Sequence, residues 1–264
     1  MSKINISFFS KSLSRTVQAI VLLPNDDEKS KLENPYYKYK TRSLYLLHGY
    51  LGEADDWLLG TNISELSVKY NLAVILPSGE NSFYVNAAAG NNKYGEFIGQ
   101  ELVNFISSTF NLSTQKKDTF IGGLSMGGFG ALVNGLTYYN TFGKIFGLSS
   151  ALICNDIKDK GPNYSDGISD YNFYHAIFGN LNHLDTSKKN PELLIKQMLL
   201  NNVTIPPIYL ACGKQDFLNA ENREFDTFLN NKQIPHIYVE SKGIHEWPYW
   251  RKQVIPAVQW LFND

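Results

Sequence analysis

Short apolar runs rich in β-branched residues alternate along this chain with stretches whose apolar positions recur at helical spacing. This alternation is typical of an α/β sheet covered by helices. The runs predict an opening antiparallel hairpin over Ile4 to Ser10 and Arg15 to Leu23. They predict further strands at Ser43 to Leu47, Leu72 to Pro77, between Thr119 and Ser125, Lys144 to Leu148, Ile208 to Cys212 and His236 to Glu240.

Helical spacing predicts helices between these strands. The first runs to Lys69 from Asn62, a candidate N-cap with Glu65 three residues later. The polar stretch from Asn25 to Tyr39 is predicted to be a loop. The other helices are predicted over Phe97 to Phe110, from Ser125 to about Leu136, from about Ala220 to Asn231 and from about Trp247 to Phe262.

One stretch, Ala151 to Thr204, does not fit the alternation, because it separates two strands by far more residues than an ordinary crossover. It is rich in Asn, Asp, Lys and aromatic residues, and its apolar pattern is too discontinuous for a core of its own. We therefore predict one domain over residues 1–264, in which residues 151–204 form a cap over the carboxyl-terminal edge of the sheet.

Composition narrows the classes of function. The 264 residues are 43% hydrophobic, enough for one large domain. A formal net charge of −1 gives no reason to expect nucleic acid or an anionic membrane as a partner. No apolar run reaches the length of a membrane-spanning helix. With two cysteines and no recognisable signal peptide, we expect a cytoplasmic protein without a disulfide scaffold.

The segment Thr119 to Ala131, TFIGGLSMGGFGA, carries the strongest chemical signal. Gly123-Leu124-Ser125-Met126-Gly127 lies between a predicted strand and a predicted helix, as in the G-x-S-x-G nucleophile elbow of serine hydrolases. The flanking glycines allow strand and helix to pack closely around a strained serine. Gly147-Leu148-Ser149 repeats only the first half of the motif. Ser125 is therefore the candidate nucleophile. The alternative is a glycine-rich turn without a catalytic role.

A serine nucleophile needs a base, and the base needs an orienting acid. In doubly wound hydrolases both follow the serine, acid first. Among five histidines, His245 follows the last predicted strand by a short loop, where a parallel sheet places groups at its carboxyl-terminal crevice. Asp216 lies just past the preceding strand. Its alternatives are a role as helix cap, or replacement as the acid by Asp226 or Glu240, which lie inside a helix and a strand. The remaining histidines are less suitably placed: His48, His175, His183 and His236.

Two backbone N–H groups are candidates for binding the oxyanion of acyl transfer. One belongs to Met126, directly after the candidate nucleophile. The other belongs to Tyr50, in the turn after an early strand, where Gly49 permits a tight bend. We expect His48 to support this loop by hydrogen bonding, and Asp55 to Trp57 either to cover the loop or to form a surface turn.

Taken together, these features resemble the esterase D-like family of α/β-hydrolases, and within it the bacterial tributyrin esterases. The matching segments are Leu44 to Gly52 (LYLLHGYLG), Thr119 to Gly130 (TFIGGLSMGGFG), Cys212 to Leu218 (CGKQDFL) and Gly243 to Trp250 (GIHEWPYW). The resemblance implies an α/β-hydrolase fold with a mostly parallel central sheet, helices on both faces and an inserted cap segment. It implies a carboxylesterase for short acyl groups, with Ser125, Asp216 and His245 as the triad and Tyr50 and Met126 as backbone donors.

The resemblance also implies chemistry without a metal or a cofactor, acting on a small-molecule ester. Candidate substrate-binding residues are Leu51, Trp57, Tyr174 and Phe178. Family members cleave S-formylglutathione, feruloyl esters or acetylated sugars. A carbohydrate or feruloyl/acetyl esterase is therefore the main alternative, ahead of a thioesterase or a catalytically silent binding protein of this fold. The sequence does not fix the oligomeric state, and a homo-oligomer is left open.

Overall fold

The computed structural model describes residues 1–26 and 28–263. Position 27, in the predicted loop, and position 264, at the end of the predicted domain, lie outside the described residues. Within the described residues, eight strands form one sheet in the spatial order β1-β2-β4-β3-β5-β6-β7-β8. The strands are β1 (Ser2–Ser10), β2 (Arg15–Leu23), β3 (Arg42–Leu47), β4 (Leu72–Pro77), β5 (Thr119–Leu124), β6 (Lys144–Leu148), β7 (Ile208–Gly213) and β8 (His236–Ser241).

The sheet is mostly parallel, as predicted. β2 pairs antiparallel with both β1 and β4, and the other neighbouring strands of the described sheet run parallel. Because parallel strands end at the same edge, the loops after β3, β5, β6, β7 and β8 converge there. Four of those loops carry candidate catalytic or oxyanion residues.

Helices cover both faces of the sheet. They are α1 (Glu28–Glu33), α2 (Asp56–Gly60), α3 (Ile63–Tyr70), α4 (Tyr94–Glu96), α5 (Leu102–Thr109), α6 (Met126–Thr137), α7 (Cys154–Ile157), α8 (Tyr171–Phe178), α9 (Pro191–Leu200), α10 (Asn219–Asn231) and α11 (Trp247–Leu261). Alternate residues of β3 enter two separate cores: Tyr45 packs with residues of α5 and α6, whereas Leu44 packs with residues of α3 and α11. This period-2 alternation is what a strand buried on both faces requires.

The segment 151–204 contains α7, α8, a 3-10 turn at Leu181–Thr186, and α9. Its buried side chains, including Ile157, Phe178 and Ile195, belong to the same hydrophobic cluster as Phe129 of α6. Sharing a core is what we expect of an insertion in one domain, because such a segment cannot bury its apolar residues alone.

Three local predictions are wrong. The stretch predicted as a loop, 25–39, contains α1 and a 3-10 turn at Pro35–Lys38. Asn62 precedes α3, but its side chain makes no capping hydrogen bond, and its Oδ1 is buried with no partner among the described residues. The hydroxyl of Thr61 accepts the N–H of Ile63 instead, at 3.2 Å. The helix predicted from Phe97 also begins earlier, at Tyr94, and passes through a π-helical turn at Phe97–Glu101.

Candidate active site

Ser125 lies at the turn between β5 and α6 in a strained backbone conformation. Its φ of 53° and ψ of −120° are rarely adopted by a residue with a side chain. Its carbonyl oxygen accepts the N–H groups of Phe129 and Ala151, both at 3.0 Å, which helps hold the turn. This is the geometry expected of a nucleophile elbow.

The glycines of the motif are required by close backbone approach. A Cβ atom on Gly127 would lie 2.3 Å from the carbonyl oxygen of Leu47 and 2.5 Å from that of His48. A Cβ atom on Gly123 would lie 2.4 Å from the carbonyl carbon of Gly127. Both distances are shorter than real Cβ contacts, so only glycine lets β5, α6 and the loop after β3 meet here.

Ser125, His245 and Asp216 form one hydrogen-bonded chain. The distance from Ser125 Oγ to His245 Nε2 is 3.0 Å, and His245 Nδ1 lies 3.0 Å from each carboxylate oxygen of Asp216. The Asp216 side chain is fully buried, and that of His245 is 17% exposed. The structure therefore brings together all three residues that the sequence predicted as a triad.

Asp216 is held ionised in spite of its burial. Burial raises the pKa of its carboxyl, but hydrogen bonds from His245, the Leu218 N–H and the Ser149 hydroxyl outweigh burial and lower the pKa below its usual range. The Leu218 N–H donates to Oδ1 at 2.9 Å, directly before α10 begins at Asn219. Asp216 thus contacts the amide of the following turn and the imidazole at once, and it remains a proton acceptor for His245.

The loop after β3 passes beside Ser125 at Gly49, and Tyr50 lines the same pocket as Ser125. A Cβ atom on Gly49 would lie 2.8 Å from Leu124 Cδ1 and 3.5 Å from Ser125 Cβ. The N–H of Met126 is the first of α6 and has no acceptor within the helix. Among the described residues, no acceptor is found for the N–H of Tyr50 either. Both N–H groups therefore lack an acceptor among the described residues, and their role as oxyanion donors stays a prediction.

His48 supports this loop as predicted. Its Nδ1 donates to the carbonyl oxygen of Gly49 at 2.8 Å, and its Nε2 accepts the N–H of Gly79 at the same distance. Burial lowers the pKa of His48, which favours the neutral tautomer that these two bonds require. His48 is thus a structural histidine that joins the loops after β3 and β4.

A pocket of about 250 Å³ opens beside Ser125. Most of its wall is apolar or aromatic, formed by residues that include Phe83, Ile153, Ile157, Tyr164 and Tyr174. Of the four candidate substrate-binding residues, only Tyr174 lines it. Trp57 is fully buried in the opposite core and donates to the Leu47 carbonyl, Phe178 packs behind Tyr174 against Phe83, and Leu51 is 77% exposed outside the pocket.

Part of the pocket wall is acidic, a feature that sequence reasoning missed. Asp156, Asp166 and Glu221 line it, and no Lys or Arg is among its described lining residues. Burial raises the pKa of Glu221, and the nearby Asp156 raises it further; burial and Glu224 raise the pKa of Asp156. Asp156 and Glu221 come from segments 65 positions apart, so local spacing carried no signal of their contact.

We expect Glu221→Gln to raise Tm by about 2 °C at pH 8 and to leave Tm unchanged near pH 4. The folded-state pKa of Glu221 is raised, so its contribution to stability is present in acid and is lost as the pH rises through that pKa. An amide has no such loss. Calorimetry at the two pH values measures the difference, with exposed Glu65→Gln of α3 as the control. An equal Tm change at both pH values would contradict this account.

Other features do not form a second site of this kind. His236 Nε2 pairs with Asp226 at 2.7 Å, without a serine or cysteine partner among its described contacts. No group of three or more His, Cys, Asp or Glu side chains suited to a metal ion is found in the described ranges. No helix of residues 1–26 and 28–263 is long and apolar enough to cross a membrane.

Comparison with known proteins gives a consistent result. The model of the "Putative esterase" family matches residues 10–261. The acetyl esterase of Caldicellulosiruptor saccharolyticus is 42% identical over 261 residues, covering 99% of this chain and 98% of that protein.

Two solved structures from Staphylococcus aureus are also similar. The substrate-bound fluorophosphonate-binding serine hydrolase FphF has a TM-score of 0.85 and 29% identity, with 100% of this chain and 99% of that chain covered. The S-formylglutathione hydrolase FrmB has a TM-score of 0.82 and 28% identity, with 99% of each chain covered. The resemblance inferred from the motifs is thereby confirmed, and this chain belongs to the putative esterase family, with an α/β-hydrolase fold.

Proposed function

We propose that this protein is a serine carboxylesterase that hydrolyses short-acyl esters through an acyl-enzyme. His245 Nε2 takes the proton of Ser125 Oγ as that oxygen attacks the ester carbonyl carbon, and the same proton then passes to the departing alcohol oxygen. Water next attacks the acyl-enzyme with His245 as base. The acid is released and the Ser125 hydroxyl is restored.

The observation that carries this proposal is the chain of 3.0 Å hydrogen bonds from Ser125 through His245 to Asp216, at the mouth of a pocket. A neutral imidazole oriented by a carboxylate is the base that a serine hydroxyl needs at neutral pH. The N–H groups of Tyr50 and Met126 supply two donors to the developing oxyanion, each commonly worth about 3 kcal/mol.

The first test is covalent labelling. We expect a fluorophosphonate probe to modify the wild-type protein at one equivalent, on Ser125, because only an activated serine attacks the phosphorus rapidly. Intact-mass spectrometry and peptide mapping locate the label. Ser125→Ala should take up none, whereas Ser150→Ala, which removes a buried hydroxyl with no partner in the described structure, should label fully. Label on another residue would refute the assignment.

The short-acyl preference rests on pocket size and on the acetyl esterase relative. Each methylene that fits gains about 0.8 kcal/mol, whereas one that does not fit must displace the packed side chains of segment 151–204. We expect kcat/KM for p-nitrophenyl esters to peak between acetyl and about hexanoyl and to fall about tenfold or more by decanoyl. A maximum at long chains would overturn this specificity while leaving the esterase assignment intact.

A second candidate function is removal of acyl groups from sugars. The observation that favours it is the mixed lining of the pocket, which combines the tyrosine rings of Tyr164 and Tyr174 with the Asp156 and Glu221 carboxyl groups. Aromatic faces and carboxylates both suit a ring bearing hydroxyl groups. Comparison of kcat/KM for an acetylated xyloside and for butyl acetate decides between the two: a preference above about tenfold for the xyloside supports the sugar esterase.

A thioesterase for S-formylglutathione ranks lower. Glutathione carries two carboxylates, and the pocket offers them three acidic side chains and no Lys or Arg among its described lining residues. The carboxylates of glutathione and those of the pocket repel each other, most strongly where water is excluded. We therefore place simple and sugar esters ahead of anionic thioesters.

A further inference from the structure

Ser149, the first residue after β6, is held in an unusual conformation that the proposed chemistry does not yet explain. It belongs to the half-motif Gly147-Leu148-Ser149, is fully buried and has a φ of 47°. A non-glycine residue in this region is strained, and such strain persists where surrounding contacts impose it. The N–H of Ser149 donates to the Ala211 carbonyl of β7 at 2.7 Å, which ties it to the strand that leads to Asp216.

The Ser149 hydroxyl forms a hydrogen bond with the side chain of Trp250. Its Oγ accepts the indole N–H of Trp250 at 3.1 Å, which leaves its own proton free to donate. Interaction with this hydroxyl lowers the pKa of two acidic neighbours, the Cys212 thiol and the Asp216 carboxyl. Burial raises the pKa of Cys212 to about 12, so the thiol stays neutral and the carboxylate is the stronger acceptor.

Trp250 in turn packs against the imidazole of His245. The ring centroids are 4.8 Å apart with the planes at 90°, an edge-to-face contact. The ring of Phe217 lies 4.5 Å from the imidazole, but Phe217 is 60% exposed whereas Trp250 is 6% exposed. Trp250 is therefore the more rigid contact, and its indole is fixed by the hydrogen bond to Ser149.

We infer that Ser149 and Trp250 are a positioning pair that fixes the His245 ring for proton transfer from Ser125. The inference rests on the proposed function. Neither residue touches the reacting atoms: Ser149 holds the Trp250 indole, and Trp250 contacts the His245 ring. The serine of the incomplete motif is thus a support for the serine of the complete one.

The test combines Ser149→Ala, Trp250→Phe and the double variant, assayed on p-nitrophenyl acetate. Each single change removes one partner of the same hydrogen bond, so we expect each to lower kcat about tenfold with KM changed less than twofold. The double variant should lose no more than about the larger single loss, because both changes break one unit. Ser150→Ala is the matched control, since its buried hydroxyl has no partner among the described residues.

The pH profile separates positioning from general support of the fold. Ser149→Ala removes a donor that lowers the Asp216 pKa, so the carboxylate becomes a stronger acceptor for His245 Nδ1–H and stabilises the protonated imidazole. The acid limb of kcat/KM reports protonation of the catalytic base, and it should therefore move to higher pH. The other titratable groups near Asp216 should not shift the acid limb of kcat/KM. Burial raises the pKa values of the Cys212 thiol and the Tyr249 phenol, which keeps both groups neutral across the acid limb. Ser150→Ala should leave the limb in place.

Two results would contradict the positioning role of Ser149 and Trp250. Wild-type kcat and an unmoved acid limb in Ser149→Ala, at an unchanged Tm, would overturn the positioning role. Fully additive losses in the double variant would do so as well. Absence of fluorophosphonate labelling in the wild-type protein would instead remove the proposed function itself. In that event the NMR signal of the His245 Nδ1 proton would still test whether Ser149→Ala disturbs the pair.

Discussion

Ser125→Ala is expected to lower kcat for p-nitrophenyl butyrate by about 10⁴-fold or more, with KM little changed. The hydroxyl is the only described atom positioned to accept the acyl group from an ester bound in the pocket beside His245. The residual rate would come from the oxyanion donors and from substrate binding. Stopped assays with purified protein measure kcat, and an unchanged Tm verifies folding. Retention of more than a few per cent of activity would exclude Ser125 as nucleophile.

His245→Ala should cost nearly as much, and the double variant Ser125→Ala/His245→Ala should lose little more, because base and nucleophile act as a unit. The chain provides a matched control in His236, whose Nε2 lies 2.7 Å from the carboxylate of Asp226. His236→Ala breaks a similar buried pair and should lower Tm while leaving kcat intact. Equal losses of kcat in both histidine variants would point to destabilisation instead of catalysis.

The sheet and the three central residues could be predicted because their signals are local. β4 and β6 begin and end at the predicted residues, since each is a continuous apolar run bounded by turn residues. Ser125 was recognisable from glycines that backbone contact requires. His245 and Asp216 were recognisable because each follows a strand of a parallel sheet, and such strands end at one edge.

The substrate pocket could not be predicted in the same way. Trp57 follows the oxyanion loop in sequence, yet its indole is buried and donates to the Leu47 carbonyl, which turns it away from the pocket. The residues around Trp57 in the sequence do not indicate the direction in which its indole points. Asp156 of α7 and Glu221 of α10 meet at the pocket although their segments lie far apart in sequence. The half-motif ending at Ser149 was visible, but its role depends on the distant Trp250.

Asp216→Asn is expected to lower kcat by about 10³- to 10⁴-fold with little change in Tm. The carboxylate accepts Nδ1–H of His245 and thereby leaves Nε2 unprotonated to receive the Ser125 proton. An amide that donates to Nδ1 would stabilise the opposite tautomer, with the proton on Nε2, where it blocks the transfer. Rates between pH 5 and 9 measure the loss, which should persist across that range because the amide does not titrate.

The asparagine variant also separates the two roles that Asp216 has in the structure. Its Oδ1 accepts the Leu218 N–H at 2.9 Å, and an asparagine oxygen can accept the same bond, so the start of α10 stays supported. If capping were the whole role of Asp216, the variant would keep both its Tm and its activity. Asp226→Asn is the matched control, because it alters the carboxylate that pairs with His236 and should leave kcat unchanged. A large loss of kcat at constant Tm, confined to position 216, therefore assigns the carboxylate to orienting His245.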